Sequence, residues 1–419
     1  MNILDPKYES AHPEELEQLQ LERLQALLVR LRRNVRRYRE LLGDARVESL
    51  ADLVRLPPTQ PEDLVNSFPY GMFALPLREV IRLQSAVGPE GRQLIIGHTH
   101  NDIKHWGRLV ARQLVAAGVT ANDVIQINLG DSSAGSFSGY VLGAQTIEAS
   151  VITEDPFHID YQLAMLQNYR PTVLVTTPTN ARAIAALLDQ RRIDPQSLHL
   201  RSVLLSRPIA DLDRHTLQAG LFARVQCNFG LPAILDPGFC VQCADGLFHV
   251  NEDQFLAEIQ GGELLVTTLA REATPLLRYA TRVAGELRRG KCKCGRTTAT
   301  IVPGRRLDKQ LLVNETPLYE RQIRAVLDHT PAARHPAEFE ITEHQVIIRL
   351  SVSETIFDDL VRTLESVQLA VESEFLARLG VQAVVRLVSP RRVASATGPT
   401  DLAVPAGSEA PAAEELNWF

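Results

Sequence analysis

Lysine is almost missing from this 419-residue chain. Of 44 basic residues only Lys7, Lys104, Lys291, Lys293 and Lys309 are lysines, and none follows Lys309. Any chemistry that needs an ammonium from the C-terminal part of the chain is therefore excluded. No apolar run approaches the ~18–20 residues that a membrane-spanning helix requires. The opening MNILDPKYES has neither a basic stretch nor an apolar core, so the reading is a cytoplasmic protein without a secretory leader. Net positive charge is also missing. The formal charge is −6 at pH 7, which argues against nucleic acid or an anionic membrane as the main partner. What is present is an ordinary globular balance, 45% apolar and 22% charged, in a chain long enough for more than one domain.

The apolar spacing predicts a helical segment over 13–43, with Leu24, Leu27, Leu28 and Leu31 on one face. Its arginines (Arg30, Arg32, Arg33, Arg36, Arg37, Arg39) read as a solvated face rather than a nucleic-acid stripe, because acidic residues are interspersed. Two β-rich runs, VIRLQS and QLIIGH, flank the loop AVGPEGR, and an amphipathic helix carrying Trp106, Leu109, Val110, Leu114 and Val115 follows. From Asp123 to Leu269 short apolar runs alternate with helical patterns. DVIQINL, ASVIT, TVLVTT, RSVLLS and RVQCNF predict strands, with NARAIAALLDQ and DRHTLQAGLF as crossover helices. DGLFHV, FLAEI and ELLVTTL predict an antiparallel set broken by Gly-Gly. The fold class is α/β. It comprises a large N-terminal domain over 1–305 with mixed sheets and helices, a small α+β domain over 306–390, and a disordered Ala/Pro/Gly-rich tail over 391–419.

Five cysteines are clustered in the second half. Cys240 and Cys243 form a CxxC followed by His249, and Cys292 and Cys294 sit in the Gly-flanked turn GKCKCGR. In a reducing compartment such spacing points to tetrahedral zinc rather than disulfides. The expected ligands are Cys243, His249, Cys292 and Cys294, with Cys240 as the substitute for Cys243. With four protein ligands the zinc is structural and not catalytic.

The chain resembles the phenylacetate–coenzyme A ligases of the adenylate-forming superfamily. The resemblance is carried, in order, by VRRYRELLGDARVESLADLVRLPPTQPEDLVNSFPYGMFALPL, GHTHNDIKHWGRLVARQLVAAGV, GSFSGYVLGA, VTTPTNARAIA, NFGLP, LLRYATR, KCKCGRT and GRRLDKQLLVNETPLYERQI, over roughly residues 33–390. It implies a carboxylate-activating protein that makes an acyl-adenylate from ATP and Mg²⁺, then a CoA thioester. The implied partner is a small carboxylic acid, aromatic or other. The implied acid pocket is the Gly-rich segment with Phe137, Gly139 and Tyr140, although a packed turn with core aromatics explains those residues equally well. The implied nucleotide-site residues are Gly88, Gly91, Arg92, Phe229, Gly230 and Arg305, the last from the family's hinge motif Gly-Arg-x-Asp, which persists here as Gly304, Arg305 and Asp308 with one extra residue.

Four elements depart from the family pattern. The phosphate loop Ser-Ser-Gly-Thr-Thr-Gly-Lys-Pro is here Ala86-Val87-Gly88-Pro89-Glu90-Gly91-Arg92-Gln93. Its hydroxyls are gone, one N–H is removed by Pro89, and Glu90 adds a like charge where phosphate would sit. The glutamate of Tyr-Gly-Leu-Ser-Glu, which would hold Mg²⁺, is Ala233. The aspartate that would accept from the ribose is Val283, and the C-terminal catalytic lysine aligns with Pro399. The sequence thus leaves three readings: a divergent carboxylate–CoA ligase, a catalytically silent homologue that binds a small acid or a protein partner, and different chemistry on the same scaffold.

Overall fold

A computed structural model describes residues 2–130, 134–152, 158–313, 316–342, 345–351 and 361–388. The predicted tail over 391–419 and Pro399 lie outside these described residues. The chain divides into two compact units, one ending at Asp308 and the second beginning at Lys309.

The large unit opens with α1 (Pro6–Glu9), α2 (Pro13–Asn34), α3 (Arg36–Leu42) and α4 (Pro61–Asn66). The predicted single helix over 13–43 is interrupted at Val35, which is extended (φ −115°, ψ 114°) and wholly buried. The break turns Tyr38 into the core, where its hydroxyl meets Thr59 Oγ1 at 2.9 Å and accepts the Leu277 N–H at 3.1 Å. Arg33, Arg36 and Arg39 of this segment are exposed, as a solvated face requires, while others are held locally. Arg30 donates to the Arg271 carbonyl at 2.8 Å, Arg37 pairs with Asp63 at 2.9 Å, and Arg36 pairs with Glu40.

Strands β1 (Arg82–Val87) and β2 (Gln93–His98) form an antiparallel hairpin, followed by α5 (His100–Ala116). Thr99 caps that helix and Asp102 completes the capping box. Next come β3 (Val124–Asn128), α6 (Ala134–Thr146), β4 (Ser150–Ile152), α7 (Ile159–Tyr169) and β5 (Val173–Thr176). They are followed by α8 (Pro178–Arg191), β6 (Ser202–Leu205), α9 (Asp211–Leu221) and β7 (Arg224–Cys227). The five strands make a parallel sheet in the order β4-β3-β5-β6-β7. β5 and β6 are buried along their whole length, as continuous apolar runs between two helical layers should be. Strand order reverses at β3, so right-handed crossovers put α6 on one face and α7, α8 and α9 on the other. That reversal opens a crevice at the carboxyl ends of β3 and β5, the usual ligand position in such sheets.

The rest of the unit is β8 (Cys240–Gln242), β9 (Phe248–Val250), β10 (Phe255–Gln260), β11 (Glu263–Thr268), β12 (Tyr279–Arg288) and β13 (Thr300–Arg306). They form one antiparallel sheet, ordered β10-β11-β12-β13-β9-β8. The Gly-Gly break is the β10–β11 turn, with both Gly261 and Gly262 at positive φ (60° and 83°).

The second unit holds the hairpin of β14 (Leu311–Val313) and β15 (Thr316–Leu318), then α10 (Glu320–Asp328), β16 (Ala337–Ile341), β17 (Val346–Ser351), α11 (Val361–Leu379) and β18 (Ala383–Val388). β16 pairs antiparallel and β18 parallel to the central β17. Ile323, Val346, Ile348, Val371 and Phe375 form its own core.

One buried ion-pair network ties the beginning of the large unit to α5 and to the antiparallel sheet. Arg112 of α5, 2% exposed, donates to Asp5 at 2.8 Å, to Asn251 at 3.0 Å, and to both oxygens of Asp253 at 2.7 and 3.1 Å. Glu9 pairs with Arg296 at 2.6 Å and accepts the Leu4 and Asp5 N–H groups. Burial pushes the Asp5 carboxyl up, but its bonds from Arg108 and Arg112 reverse this and leave it below the usual range. A depressed acid stabilises the fold fully above its unfolded pKa of about 4 and loses that contribution as pH falls through and below this value. Arg112→Ala strands the buried Asp253 and leaves Asp5 with Arg108 alone, and should lower stability by about 3–5 kcal/mol in chemical denaturation at pH 7. The deficit relative to wild type should shrink on acidification.

Candidate functional site

Three groups of residues emerge: a thiol–imidazole cluster, the positions that the resemblance gives to a nucleotide, and a set of polar side chains beside α6. The cluster is built by two neighbouring hairpin turns of the antiparallel sheet. Cys243 leaves β8 in the turn to β9, and His249 lies in β9 opposite Thr300 of β13. Cys292 and Cys294 lie in the β12–β13 connection. The ligand atoms of these four residues all lie within 4.8 Å of one another. The Cys243 and Cys292 sulfurs are 3.9 Å apart, and Cys294 Sγ is 3.5 Å from His249 Nε2. Bonds of ~2.3 Å to sulfur and ~2.0 Å to nitrogen in a tetrahedron give edges of about 3.8 and 3.5 Å, so the spacing fits a zinc-sized ion. His249 Nδ1 lies 3.2 Å from the Thr298 carbonyl, which orients the ring and leaves Nε2 for a metal. Burial holds the His249 pKa down to about 4, so the ring is neutral. Burial and the neighbouring thiols push Cys292 up to about 12, a crowding that a cation relieves. Cys240 is 1% exposed, packs in the core and stands outside the cluster, as does Cys227.

The loop matching the family's phosphate loop is a closed hairpin turn. The Gly88 N–H donates to the Arg92 carbonyl at 2.7 Å, the Gly91 N–H to Gly88 at 3.1 Å, and the Arg92 N–H to Pro89 at 3.1 Å. Three backbone donors are therefore satisfied within the turn, and Pro89 has none. Glu90 occupies the left-handed region (φ 56°) with its side chain exposed, as is that of Arg92. Gly88 has a packing role, because a Cβ there would stand 2.8 Å from Leu94 Cγ. Phe229, 6% exposed, packs edge-on against Phe239 and Phe248, so its ring belongs to the core. Ala233 and Val283 are buried as well. Arg305 is exposed, and it is Arg306 that grips Asp308, through two 2.7 Å bonds. Aligning Arg306-Leu307-Asp308 with the family's Arg-x-Asp removes the extra residue that the Arg305 register needs.

The Gly-rich segment is not a loop but the first turns of α6. Gly139 permits close contact between helices, because a Cβ there would lie 2.7 Å from Trp106 Cζ2. Tyr140 is buried, and its hydroxyl faces the buried Gln113 side chain. Phe137 is half-buried against the core. Ser132 and Ser133, upstream, lie outside the described residues.

A carboxylate that the sequence reading passed over stands beside these side chains. Asp236 accepts from Asn228 Nδ2 at 2.6 Å and from the Ser136 hydroxyl at 3.0 Å. Burial raises its pKa. It follows Ala233 by three residues and precedes Pro237, whose carbonyl accepts the Trp106 indole N–H at 2.7 Å. Nearby, His98 stacks on Trp106 at 5.4 Å, and burial, with Arg271 and Arg82, lowers its pKa to about 2. The available signal was the Asp-Pro-Gly turn just after a motif that had lost its own acid.

The large unit with its parallel and antiparallel sheets, followed by a small α+β unit, is the fold of adenylate-forming CoA ligases. It superimposes with a TM-score of 0.81 on 2-hydroxyisobutyryl-CoA ligase in complex with 2-HIB-AMP and CoA, over 95% of this chain and 90% of that one, at 19% identity. No family model matches the chain. The chain is 31% identical to the phenylacetate–coenzyme A ligase of Thermus thermophilus over 384 residues, covering 85% of this chain and 86% of the relative. It is 31% identical to that of Pseudomonas putida (77% of each chain) and 30% identical to that of Escherichia coli (76% and 77%). This chain belongs to the phenylacetate–coenzyme A ligase family.

Asp236 makes one demand on the backbone. A Cβ at Gly230 would fall 2.1 Å from Asp236 Oδ1 and 2.9 Å from the Asp236 Cα. Gly230→Ala should therefore destabilise the large unit by about 1–3 kcal/mol. Adding Asp236→Gly should recover only part of the loss, because the backbone contact remains; paired thermal melts check both.

Proposed function

We propose that this protein is a small-carboxylic-acid-binding member of its family that has given up a tight hold on ATP·Mg²⁺. The observation that carries this reading is the turn at Gly88–Arg92. A phosphate loop works by pointing free N–H groups at the anion. Here those of Gly88, Gly91 and Arg92 are bonded within the turn, and Glu90 adds charge of the wrong sign. Ala233 offers no oxygen to Mg²⁺, Val283 cannot accept from a ribose, and no lysine follows Lys309. Each loss is worth about 1–4 kcal/mol of transition-state stabilisation, and together several powers of ten in rate. Phe137, half-buried on the first turns of α6 where the resemblance puts the acid, supports an aromatic or similarly compact acid. The alternative of a slow but working ligase is favoured by the retained Arg306–Asp308 pair.

The experiment measures pyrophosphate release with ATP, Mg²⁺ and a panel of carboxylic acids, alongside direct binding of the same acids. Acid binding with turnover at least ~10³-fold below a family ligase run in parallel supports the proposal. Turnover at ligase rates would replace it with the working-ligase reading. Ala233→Glu alone should not restore turnover, because the other groups remain missing.

The thiol–imidazole cluster is proposed as a structural zinc site. Cys243, His249 Nε2, Cys292 and Cys294 would fill all four positions, leaving none for substrate. Elemental analysis of protein purified without chelator should find about one zinc per chain. Cys294→Ser should lose zinc and lower the melting temperature, whereas Cys240→Ala should keep the metal.

A further inference from the structure

Most buried acids of the large unit are held by a cation or by several backbone donors. Asp5, Glu9, Asp123, Glu252 and Asp253 each face an arginine, and Asp102 accepts the Thr99, Glu272 and Ala273 N–H groups. Asp236 meets only two neutral donors, the Asn228 amide and the Ser136 hydroxyl, and forms no ion pair among the described residues. A carboxylate withdrawn from water ordinarily has a cation beside it. Two neutral bonds also leave part of its accepting capacity unused.

Asp236 stands at the edge of the core: it is half-buried, as are Gly135, Ser136 and Phe137 on the first turns of α6, whereas Asn228 and Tyr140 are buried. The Tyr140 hydroxyl, close enough to feel the charge of Asp236, faces the buried Gln113 side chain. A partner for the Asp236 carboxylate itself would be positively charged and rich in donors. Mg²⁺ fits less well, because it takes several hard oxygens, and Asn228 turns its own oxygen towards Gln113 at 3.3 Å. Asp236 also lies against Ser136 of α6, on the side assigned to the acid and not at the Gly88–Arg92 turn.

We propose that Asp236 is a specificity-determining residue that receives a protonated amino group carried by the carboxylic-acid ligand, so that the preferred acids are amino-substituted. The ammonium would give its donors to Asp236. The inference rests on the acid-binding reading above and adds the chemical class of the acid.

The test is equilibrium binding at pH 7 of matched acids that differ by one alkylamino group, protonated at that pH: 4-(aminomethyl)phenylacetate against 4-methylphenylacetate, and phenylalanine against 3-phenylpropionate. Wild-type protein should bind the amino member of at least one pair 10-fold or more tightly than its partner. In Asp236→Asn that preference should fall to within about threefold. Asp236→Ser removes the same charge should the amide variant fail to fold, and thermal melts report folding in each case. Equal binding of both members in every pair, or a preference that survives loss of the carboxylate, overturns the inference and leaves acid binding standing. If Asp236→Asn instead weakens only ATP·Mg²⁺ binding, the carboxylate serves the metal ion and the inference also falls. No binding of any acid would remove the acid-binding reading and the inference together.

Discussion

The arrangement of the large unit depends on a single buried guanidinium. Arg112 stands where α5, the first residues of the chain and the β9–β10 connection meet, and it touches all three through Asp5, Asn251 and Asp253. A buried ion of this kind adds little net stability compared with a well-packed apolar alternative. Its value is in restriction: five donors in a rigid plane accept few arrangements of the surrounding acids. α5 is thereby fixed in direction, and its opposite face meets α6 at Gly139, Gly107 and Gly143, where no Cβ has room. The setting of Asp236 inherits its shape from this chain of contacts. Trp106, from the same helix, forms part of it.

Much of the fold was legible because the parallel sheet writes itself as short apolar runs separated by helix-period segments. Burial on both faces removes the polar alternation that would otherwise blur a strand. The zinc-type cluster was legible because sulfur and imidazole at those spacings have few other uses. Less visible was Val35, where tertiary packing of Tyr38 outweighed a helix-forming stretch. The Gly-rich segment was ambiguous for a related reason. Glycine frees the backbone for a loop, and it also allows two helices to touch, and only the position of Trp106 decides between them.

Asp236 illustrates a different limit. Alignment with a known motif directs attention to positions where the motif is kept or lost, so Ala233 was seen as a missing acid. The carboxylate three residues on belongs to no motif, and what sets it apart is that no cation among the described residues pairs with it. Charge balance around a side chain is a property of the fold, and a linear spacing carries almost no trace of it. Arg306 was obscured for the opposite reason. Two consecutive arginines fit the same pattern, and the ion pair with Asp308 selects the second.

The turn that carries Cys292 and Cys294 is also stitched to the start of the chain. The Ser10 hydroxyl donates to the Gly295 carbonyl, the Thr297 N–H donates to the Glu9 carbonyl, and the Thr297 hydroxyl donates to the Ala11 carbonyl, next to the Glu9–Arg296 pair. A metal bound there would work as a clasp on residues 2–11 as well as on its own loop. A molecule that never acquired its ion, or gave it up to a competitor, would present a loosened leading segment to the cell. Metal scarcity would then be read at the front of the chain, as a susceptibility to trimming and turnover.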